Sequence, residues 1–346
     1  MWVDTGGDSV AALADEVNAE ARILEMEQAN QRLQKRLSKA ETKVADLIET
    51  VYRAARDAAV IVGTPDVIPR PGRDRRRGPE VALLHLTDWQ LGKDTESYGL
   101  DACEDRVRRA VAKTTRLAEI QRADHPVREC HLMLGGDLIE GVTIFPGQAH
   151  EVESGAFEQV FRASALVEQS LLSLLAEFES VSVWEVSGNH GRIGKRGDHP
   201  REDNLDRIVG RIARERLSAQ PRLTWHEPSR WYAIVEIGAY RALLVHGDQI
   251  KSFGGNIPAF GIVRKATAWS SGVTEPFSDV WMGHFHTPMQ FALPNGGLVR
   301  VTGSTESGSE YAREFVAARG KPSQRLAFVE PANGRCTADY ILWLDE

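Results

Sequence analysis

The stretch ALLHLTDWQLGK, residues 82–93, decides the fold of this 346-residue chain. It opens as an uninterrupted apolar run, which is typical of a buried strand. The run then gives way to Asp88 and Gln90. An acidic side chain at the end of a buried strand is costly unless it meets a cation or a hydrogen-bond donor. The stretch therefore predicts a buried strand whose carboxyl end carries a polar site.

Four more apolar runs end in acids, amides or histidines. They end at GGDLIEG (135–141), SGNHGR (187–192), LVHGD (244–248) and MGHFHTP (282–288). Loops at the carboxyl ends of sheet strands are where sites in such folds converge. Carboxylates can bridge two cations and imidazoles suit Mn, Fe or Zn, and two such metals about 3.5–4 Å apart can clamp a phosphate. The set predicts a dimetal site for phosphate chemistry. Its candidate residues are Asp88, Gln90, Asp137, Asn189, His190, His246, His284 and His286.

Apolar runs alternate with helical patterns after residue 81. The first three runs predict strands, and the segments between them predict helices near 101–123, 155–179 and 203–218. This alternation is typical of an α/β sheet. After residue 220 the pattern changes to short strands with one helix near 257–270. The order predicts an α/β fold with α+β character, in which two sheets pack together and the helices lie outside.

The N-terminal segment has a heptad pattern. Across residues 23–58 the apolar positions step by three and four, with no proline or glycine among them. Asn30 occupies an a position, where a buried amide favours a two-stranded coil in one register. In a parallel pair, Arg36 of one chain would face Glu41 of the other. The pattern predicts a parallel homodimer through residues 23–58, with a helix that folds back on its own domain as the alternative.

Composition divides the chain and limits its class. The predicted parts are a helix (1–60), a Pro/Arg-rich linker (61–80) and the domain with the polar motifs (81–346). Hydrophobic residues at 42% and charged residues at 26% are typical of a globular protein. No apolar run approaches the roughly 18–20 residues of a membrane helix, so no membrane partner is expected. No secretory signal is evident, and three widely spaced cysteines favour reduced thiols, which together predict a cytoplasmic location.

The order and spacing of the motifs resemble the calcineurin-like metallophosphoesterase superfamily, whose motifs run D-x-H, G-D, G-N-H, H and G-H-x-H. The match covers roughly residues 81–305. Within the superfamily, LLHLTDWQLGK is most similar to the first motif of SbcD-type DNA nucleases and related phage-encoded phosphoesterases. The resemblance implies a four-layer αββα sandwich. It also implies two divalent cations per chain.

The resemblance assigns a role to each candidate residue. It implies that metal one is held by Asp88, Gln90, Asp137 and His286. It implies that metal two is held by Asp137, Asn189, His246 and His284, so that Asp137 bridges the two cations and belongs to the catalytic centre. His190 matches the catalytic histidine that stabilises the transition state or protonates the leaving oxygen.

Three departures from the family pattern bear on function. Gln90 stands where the family usually has histidine, and Gly191 stands where an acid often follows G-N-H. The sequence after the sandwich is also too short for the DNA-binding cap of SbcD-type nucleases. A glutamine oxygen is a neutral, hard ligand, so Mn²⁺ is favoured, with Mg²⁺, Fe or Zn²⁺ as alternatives. Gln90 could also mark a site that fills only with substrate, or one that no longer works.

The sequence therefore predicts a hydrolase that cleaves phosphodiester bonds with a metal-activated water, and a DNA exo- or endonuclease is the leading hypothesis. Arg192, Lys195 and Arg196 are predicted to contact substrate phosphate, and Tyr311 to stack on a base. One alternative is a phosphomonoesterase or nucleotide phosphodiesterase. The other is an impaired scaffold subunit that recruits a partner ATPase or a replication or repair protein.

Overall fold

The computed structural model describes residues 7–62, 78–145, 147–227, 230–251, 257–306 and 321–345. The chain divides into two units, Met1–Ala58 and Ala59–Glu346. Helix α1 (Gly7–Val62) provides the described part of the first unit. The remaining elements are β1 (Glu80–Leu86), α2 (Leu100–Gln121), β2 (Val127–Leu134), α3 (Ala156–Glu177), β3 (Ser180–Glu185), α4 (Leu205–Arg216), β4 (Leu223–His226), β5 (Tyr232–Ile237), β6 (Tyr240–Val245), α5 (Ala259–Ala268), β7 (Asp279–Met282), β8 (Met289–Ala292), β9 (Leu298–Val301), β10 (Ser323–Glu330) and β11 (Arg335–Trp343).

Helix α1 carries an exposed apolar stripe. Met26, Leu33, Leu37 and Leu47, which occupy a and d positions of the heptad pattern, are each at least half exposed in the single chain. The helix runs two residues beyond the predicted end at residue 60. Its pairing with a second helix stays a prediction. No helix among the described residues is long and apolar enough to cross a membrane.

The predicted linker, 61–80, is bounded more narrowly in the structure. Residues 61 and 62 belong to α1, and Glu80 already pairs with Val127 as the first residue of β1. Residues 63–77, which include the arginine cluster, lie outside the described residues. The linker itself therefore stays a prediction.

The first sheet has six strands in the order β11-β10-β1-β2-β3-β4. Strands β1 to β4 are parallel, and β10 and β11 add an antiparallel edge. Every residue of β1 is buried, as an apolar strand at the centre of a parallel sheet requires. The second sheet has five strands in the order β5-β6-β7-β9-β8, of which β6, β7 and β9 are parallel.

The two sheets face each other across one core. Side chains from β1, β2, β3 and β10 pack there against side chains from β5, β6 and β7, with Trp281 fully buried among them. Helices α2 and α3 contact the first sheet and α4 packs on α3. Ile262, Ala266 and Trp269 pack α5 and the turn that follows it onto the second sheet. The four-layer αββα sandwich is confirmed, and the predicted helices and strands are present.

A buried charge network joins the two sheets. Arg300 on β9 donates to Asp279 on β7 at 2.6 Å and to Asp339 on β11 at 2.7 Å. Arg325 on β10 donates to the other oxygen of Asp339 at 2.7 Å. Because Arg300 is only 3% exposed, its charge depends on these carboxylates for compensation.

Replacing Arg300 with methionine tests this network. The change leaves the buried Asp279 carboxylate without its cation, so we expect a loss of about 3–5 kcal/mol in the free energy of unfolding. Urea unfolding measures the loss. The matched control is Arg335→Met, because the side chain of Arg335 is 70% exposed; we expect about 0.5 kcal/mol or less there. Equal losses in the two variants would show that the network does not stabilise the sandwich.

Candidate metal centre

The polar motifs meet because their strands are parallel and end at one edge of the sandwich. Strands β1, β2 and β3 end just before the motifs at Asp88, Asp137 and Asn189, and β6 and β7 end just before His246 and His284. The loops also bind each other through the backbone. The Asp88 amide donates to the Gly136 carbonyl at 3.0 Å, and the Gln90 amide donates to the Asp137 carbonyl at 2.9 Å.

The backbone is strained at the predicted ligands. Among the described residues, positive φ angles occur outside glycine at Asp88 (52°), Gln90 (45°), Asp137 (52°), His284 (68°) and His286 (54°). Such conformations cost on the order of 1–3 kcal/mol each and persist only where the surroundings impose them. The fold thus concentrates its strain at five of the residues that the motifs single out.

Two glycines allow the carboxylates to lie against the neighbouring loops. A side chain at Gly188 would collide with the Asp137 carboxylate, and a side chain at Gly283 would collide with the Asp88 carboxylate. Each glycine directly precedes a predicted ligand, Asn189 or His284. The G-N-H and G-H-x-H motifs therefore need their glycines for close approach to the two acids.

Asp137 is the centre of the first group of ligands. Its Oδ2 lies 2.9 Å from His246 Nε2, and Asn189 Oδ1 lies 3.2 Å from the same nitrogen. The donor atoms of Asp137, His246 and His284 all lie within 4.8 Å of one another. His246 Nδ1 donates to the Gly135 carbonyl at 2.9 Å, which fixes the ring so that Nε2 faces the acid.

Asp88 is the centre of the second group. His286 Nε2 lies 3.3 Å from Asp88 Oδ1, and His286 Nδ1 lies 3.2 Å from Glu306 Oε2. Both oxygens of Asp88 accept the His284 amide, at 3.0 and 2.9 Å. The Glu306 contact orients the ring and leaves Nε2 facing the site, as carboxylate partners do for metal-binding histidines.

Gln90 lies between the two histidines with its amide nitrogen toward them. Its Nε2 lies 3.1 Å from His190 Nε2 and 3.4 Å from His286 Nε2. Its Oε1, the atom that would bind a cation, accepts from Lys93 Nζ at 3.3 Å. Lys93 Nζ also lies 3.5 Å from Glu306 Oε1. The lysine therefore competes with a cation for the glutamine oxygen, and ligation by Gln90 stays a prediction.

His190 is held from three sides. Its amide donates to Asp137 Oδ1 at 2.7 Å, and its Nδ1 lies 3.0 Å from the Glu140 carbonyl and 3.2 Å from Glu140 Oε2. Burial favours the neutral ring, but the Asp137 charge and the Glu140 contacts outweigh it, so the pKa of His190 is raised. The raised pKa favours the protonated ring, whose Nε2 faces the site.

Electrostatics show that the centre stabilises positive charge. Although burial opposes it, Asp137 raises the pKa of His246 to about 10, and contacts with Asp88 and Glu306 raise the pKa of His286 to about 10. Burial lowers the pKa of His284 to about 4, so this ring is neutral and can ligate. Carboxylate oxygens, an amide oxygen and imidazole nitrogens are a donor set for divalent cations. The residues present therefore fit the metals that the resemblance implies.

Asp206 and Asn204 bind the backbone near the metal centre. Asp206 accepts the amides of Asp137, Leu138 and Gly188 at 2.8–3.0 Å. Asn204 caps α4 by accepting the Asp206 amide at 2.9 Å. A side chain at Gly191 would collide with Asn204. The departure from the family pattern at residue 191 thus has a local steric cause.

The predicted substrate contacts are placed only in part. Arg192, Lys195 and Arg196 lie in the loop that follows His190, and Arg192 Nε donates to the Asn189 carbonyl at 3.0 Å. Tyr311 lies outside the described residues. The roles of all four stay predictions.

Sequence reasoning missed several residues of the site. Glu140 contacts His190, Glu306 contacts His286 and Lys93 contacts Gln90. Asp206 accepts the backbone amide of Asp137. Glu140 and Lys93 carried a signal, because Glu140 stands three residues after Asp137 within GGDLIEG and Lys93 ends the stretch ALLHLTDWQLGK. Glu306 and Asp206 lie outside the motifs.

One curated protein is similar to this chain over most of its length. The SPbeta prophage-derived uncharacterized protein YonJ of Bacillus subtilis (strain 168) is 23% identical over 319 residues, which cover 87% of this chain and 74% of that protein. No family model matches the chain.

Three solved structures illustrate the likeness of fold. A dimetal phosphatase from Danio rerio is 11% identical at a TM-score of 0.38, over 77% of this chain and 100% of that one. Vps29 complexed with Zn²⁺ from Entamoeba histolytica is 12% identical at a TM-score of 0.33, and the match covers 75% of this chain and 99% of that one. A metallophosphoesterase from Sphaerobacter thermophilus is 15% identical at a TM-score of 0.32, and the match covers 75% of this chain and 87% of that one. The SbcD-type likeness stays a prediction.

Replacing Gln90 with histidine tests whether the cation site at Asp88 is weaker than the cation site at Asp137. We expect the wild-type chain to retain one Mn²⁺ after gel filtration, at Asp137, His246 and His284, and Gln90→His to retain two, because imidazole is the stronger ligand. Lys93→Met should raise the affinity for the second cation by freeing the glutamine oxygen. Elemental analysis of the eluted protein counts the cations.

The matched control is Gln169→His, which places the same imidazole on an exposed part of α3. It should leave the count unchanged. The wild-type chain could instead hold two cations tightly, with no effect of Gln90→His or Lys93→Met. That result would contradict the expectation that the second site binds its cation weakly.

Proposed function

We propose that the chain is a dimetal-dependent phosphodiesterase that acts on DNA as a nuclease. The observation that carries the proposal is the position of His190. Its ring lies beside the Asp137 carboxylate, faces the ligand cluster through Nε2 and favours the protonated form. Phosphoester hydrolysis needs an acid that binds a cation and a group that donates a proton. Asp137 and His190 supply these two groups side by side.

The residues divide into two overlapping cation sites. Asp137, Asn189, His246 and His284 would hold one cation, and Asp88, His286 and Asp137 would hold the other, with Gln90 as an additional ligand. When bound, the cations supply charge that stabilises the phosphoryl oxygens and lowers the pKa of a water. Mn²⁺ is our preferred ion, because carboxylate and amide oxygens are mixed here with imidazoles.

His190 protonates the oxygen that leaves the phosphorus. Glu140 holds Nδ1 through its carbonyl and its carboxylate, so the ring cannot turn Nε2 away from the site. Asp137 stabilises the imidazolium until the proton is transferred. Gln90 contacts the same nitrogen at 3.1 Å, and this contact must loosen as the leaving oxygen takes its place.

A polymer substrate is favoured by the surface beside His190. The Phe145 ring lies 5.4 Å from the His190 ring and is half exposed. An exposed aromatic ring at a hydrolytic site can stack on a nucleobase, which contributes about 1–3 kcal/mol per base. The basic side chains of the loop after His190 add electrostatic attraction for a phosphate backbone. A phosphomonoester without a base would not use the aromatic ring.

Hydrolysis of DNA tests the proposal directly. End-labelled single- and double-stranded DNA should be cleaved with Mn²⁺, and His190→Ala should lower kcat about 10²–10⁴-fold through loss of the proton donor. His150→Ala is the matched control, because His150 is exposed and has no motif support. A small phosphate monoester and a small diester serve as parallel substrates.

The outcomes separate the alternatives. If only the small esters are hydrolysed, the chain is a phosphomonoesterase or nucleotide phosphodiesterase and the DNA proposal is wrong. If nothing is hydrolysed with any divalent cation, the contact between Lys93 and Gln90 marks an impaired centre. A scaffold role that recruits a partner ATPase or a replication or repair protein would then be the better account.

We also infer that α1 forms a parallel homodimer through residues 23–58. The exposed stripe of Met26, Leu33, Leu37 and Leu47 needs a partner surface, and a second copy presents the same stripe in register. Two active sites would then act on one substrate.

A change within the stripe tests the dimer. Leu37→Lys should convert the dimer to a monomer in light scattering, because it places a charge in the seam. Thr42→Lys, on the opposite face of the helix, should leave the dimer intact. Asn30→Cys should give a disulfide between chains if the helices are parallel. A wild-type chain that is monomeric at micromolar concentration would contradict the inference.

A further inference from the structure

A cavity of ≈ 280 Å³ lies beside the metal centre, between the loop after His190 and the start of β5. Six basic side chains line it together with Trp231. They are Arg192, Lys195, Arg196, Arg201, Arg207 and Arg230. The volume is close to the lower limit of small-ligand sites, about 300 Å³. The cavity therefore suits one nucleotide unit better than a duplex.

The cavity shares a wall with the metal centre. Gly188 and Asp206 line the cavity, and both contact the Asp137 loop from the other side. Arg192 lines the cavity while donating to the carbonyl of Asn189, a predicted ligand. Asp248, two residues after His246, lines it as well. A substrate whose scissile phosphate lies at the centre has the cavity directly beside it.

Three of the six cations are already neutralised. Arg196 pairs with Asp248 at 3.8 Å, Arg207 with Glu227 at 3.3 Å and Arg230 with Glu275 at 2.8 Å. Within the part of the chain that the structure describes, Arg192, Lys195 and Arg201 have no carboxylate in ion-pair distance. These three charges are free to bind an anion.

The acids in the lining do not pair with these three cations. Asp206 keeps its charge but directs it at three backbone amides, and Asp248 is paired with Arg196. Burial, with Glu227 nearby, raises the pKa of Glu185 to about 8, so this carboxyl is uncharged at neutral pH. The remaining acids are Glu202 and Asp203. With Asp206 they equal the three free cations in number, so the attraction for an anion comes from the three unpaired basic side chains and not from a net charge of the lining.

We propose that this cavity binds the phosphate next to the scissile one in a single DNA strand, through Arg192, Lys195 and Arg201. Trp231 supplies an apolar wall for the sugar or base of that nucleotide. The assignment rests on the proposed nuclease function. It adds the path of the bound DNA strand, which leaves the metal centre along the loop after His190. A mononucleotide or free phosphate would fill only part of the same surface.

The test uses a double variant that carries both Lys195→Gln and Arg201→Gln, and the control is the single variant Arg335→Gln. Lys195 and Arg201 are exposed, so the double variant should fold, and Arg335 is an exposed arginine elsewhere on the sandwich. Binding of a fluorescent ten-nucleotide single strand is measured in the His190→Ala background over a range of salt concentrations. We expect the double variant to bind about tenfold more weakly, and its salt slope to fall by about 0.7 for each phosphate that is no longer bound.

Kinetics supply the second measurement. The KM for the ten-nucleotide strand should rise at least about fivefold in the double variant, whereas the KM for bis(p-nitrophenyl) phosphate should change less than about twofold, because this small diester does not reach the cavity. Arg335→Gln should match the wild-type chain in both measurements.

Each failure has its own pattern. If no ester is hydrolysed but the double variant still binds the strand more weakly, the proposed catalysis is wrong and the cavity assignment stands. If DNA is cleaved and the double variant binds and turns over the strand like wild type, the cavity assignment is overturned. If inorganic phosphate displaces the strand as well as a mononucleotide does, the cavity is a simple anion site, which also overturns it.

Discussion

Two buried carboxylates, Asp88 and Asp137, impose the constraint on which the rest of this structure depends. Both are almost completely buried, and each is surrounded by donors from both sheets. The loops around them adopt left-handed backbone conformations, and two glycines must remain without side chains to make room for the carboxylates. Four histidines contact the two acids, and the charge of the acids makes the site fit divalent cations.

The sequence predicted the fold and the main side chains because both leave local signals. Strand β1 is a continuous apolar run, and the acids and histidines stand directly after such runs, at positions that parallel strands bring to one edge. Asp88 and His284 lie 196 positions apart in the sequence, yet both could be named as site residues. Their contact depends on the packing of the two sheets, because β1 belongs to the first sheet and β7 to the second.

The rest could not be predicted because it depends on side-chain packing between distant segments. Glu306 orients His286 and contacts Lys93, yet no motif surrounds it. Lys93 stands at the end of the first motif, but its contact with the Gln90 oxygen, which decides how the departure from the family pattern is interpreted, was not predicted. The basic cavity arises where the loop after His190 meets β5, so its shape exists only in the folded chain.

Anomalous diffraction from crystals soaked in Mn²⁺, collected at the manganese absorption edge, tests the central claim most directly. The account predicts a strong peak between the ligand atoms of Asp137, His246 and His284. It predicts a weaker peak, which strengthens in Gln90→His crystals, beside Asp88 and His286. Manganese only at exposed surface carboxylates, with no peak at Asp137, would contradict the account.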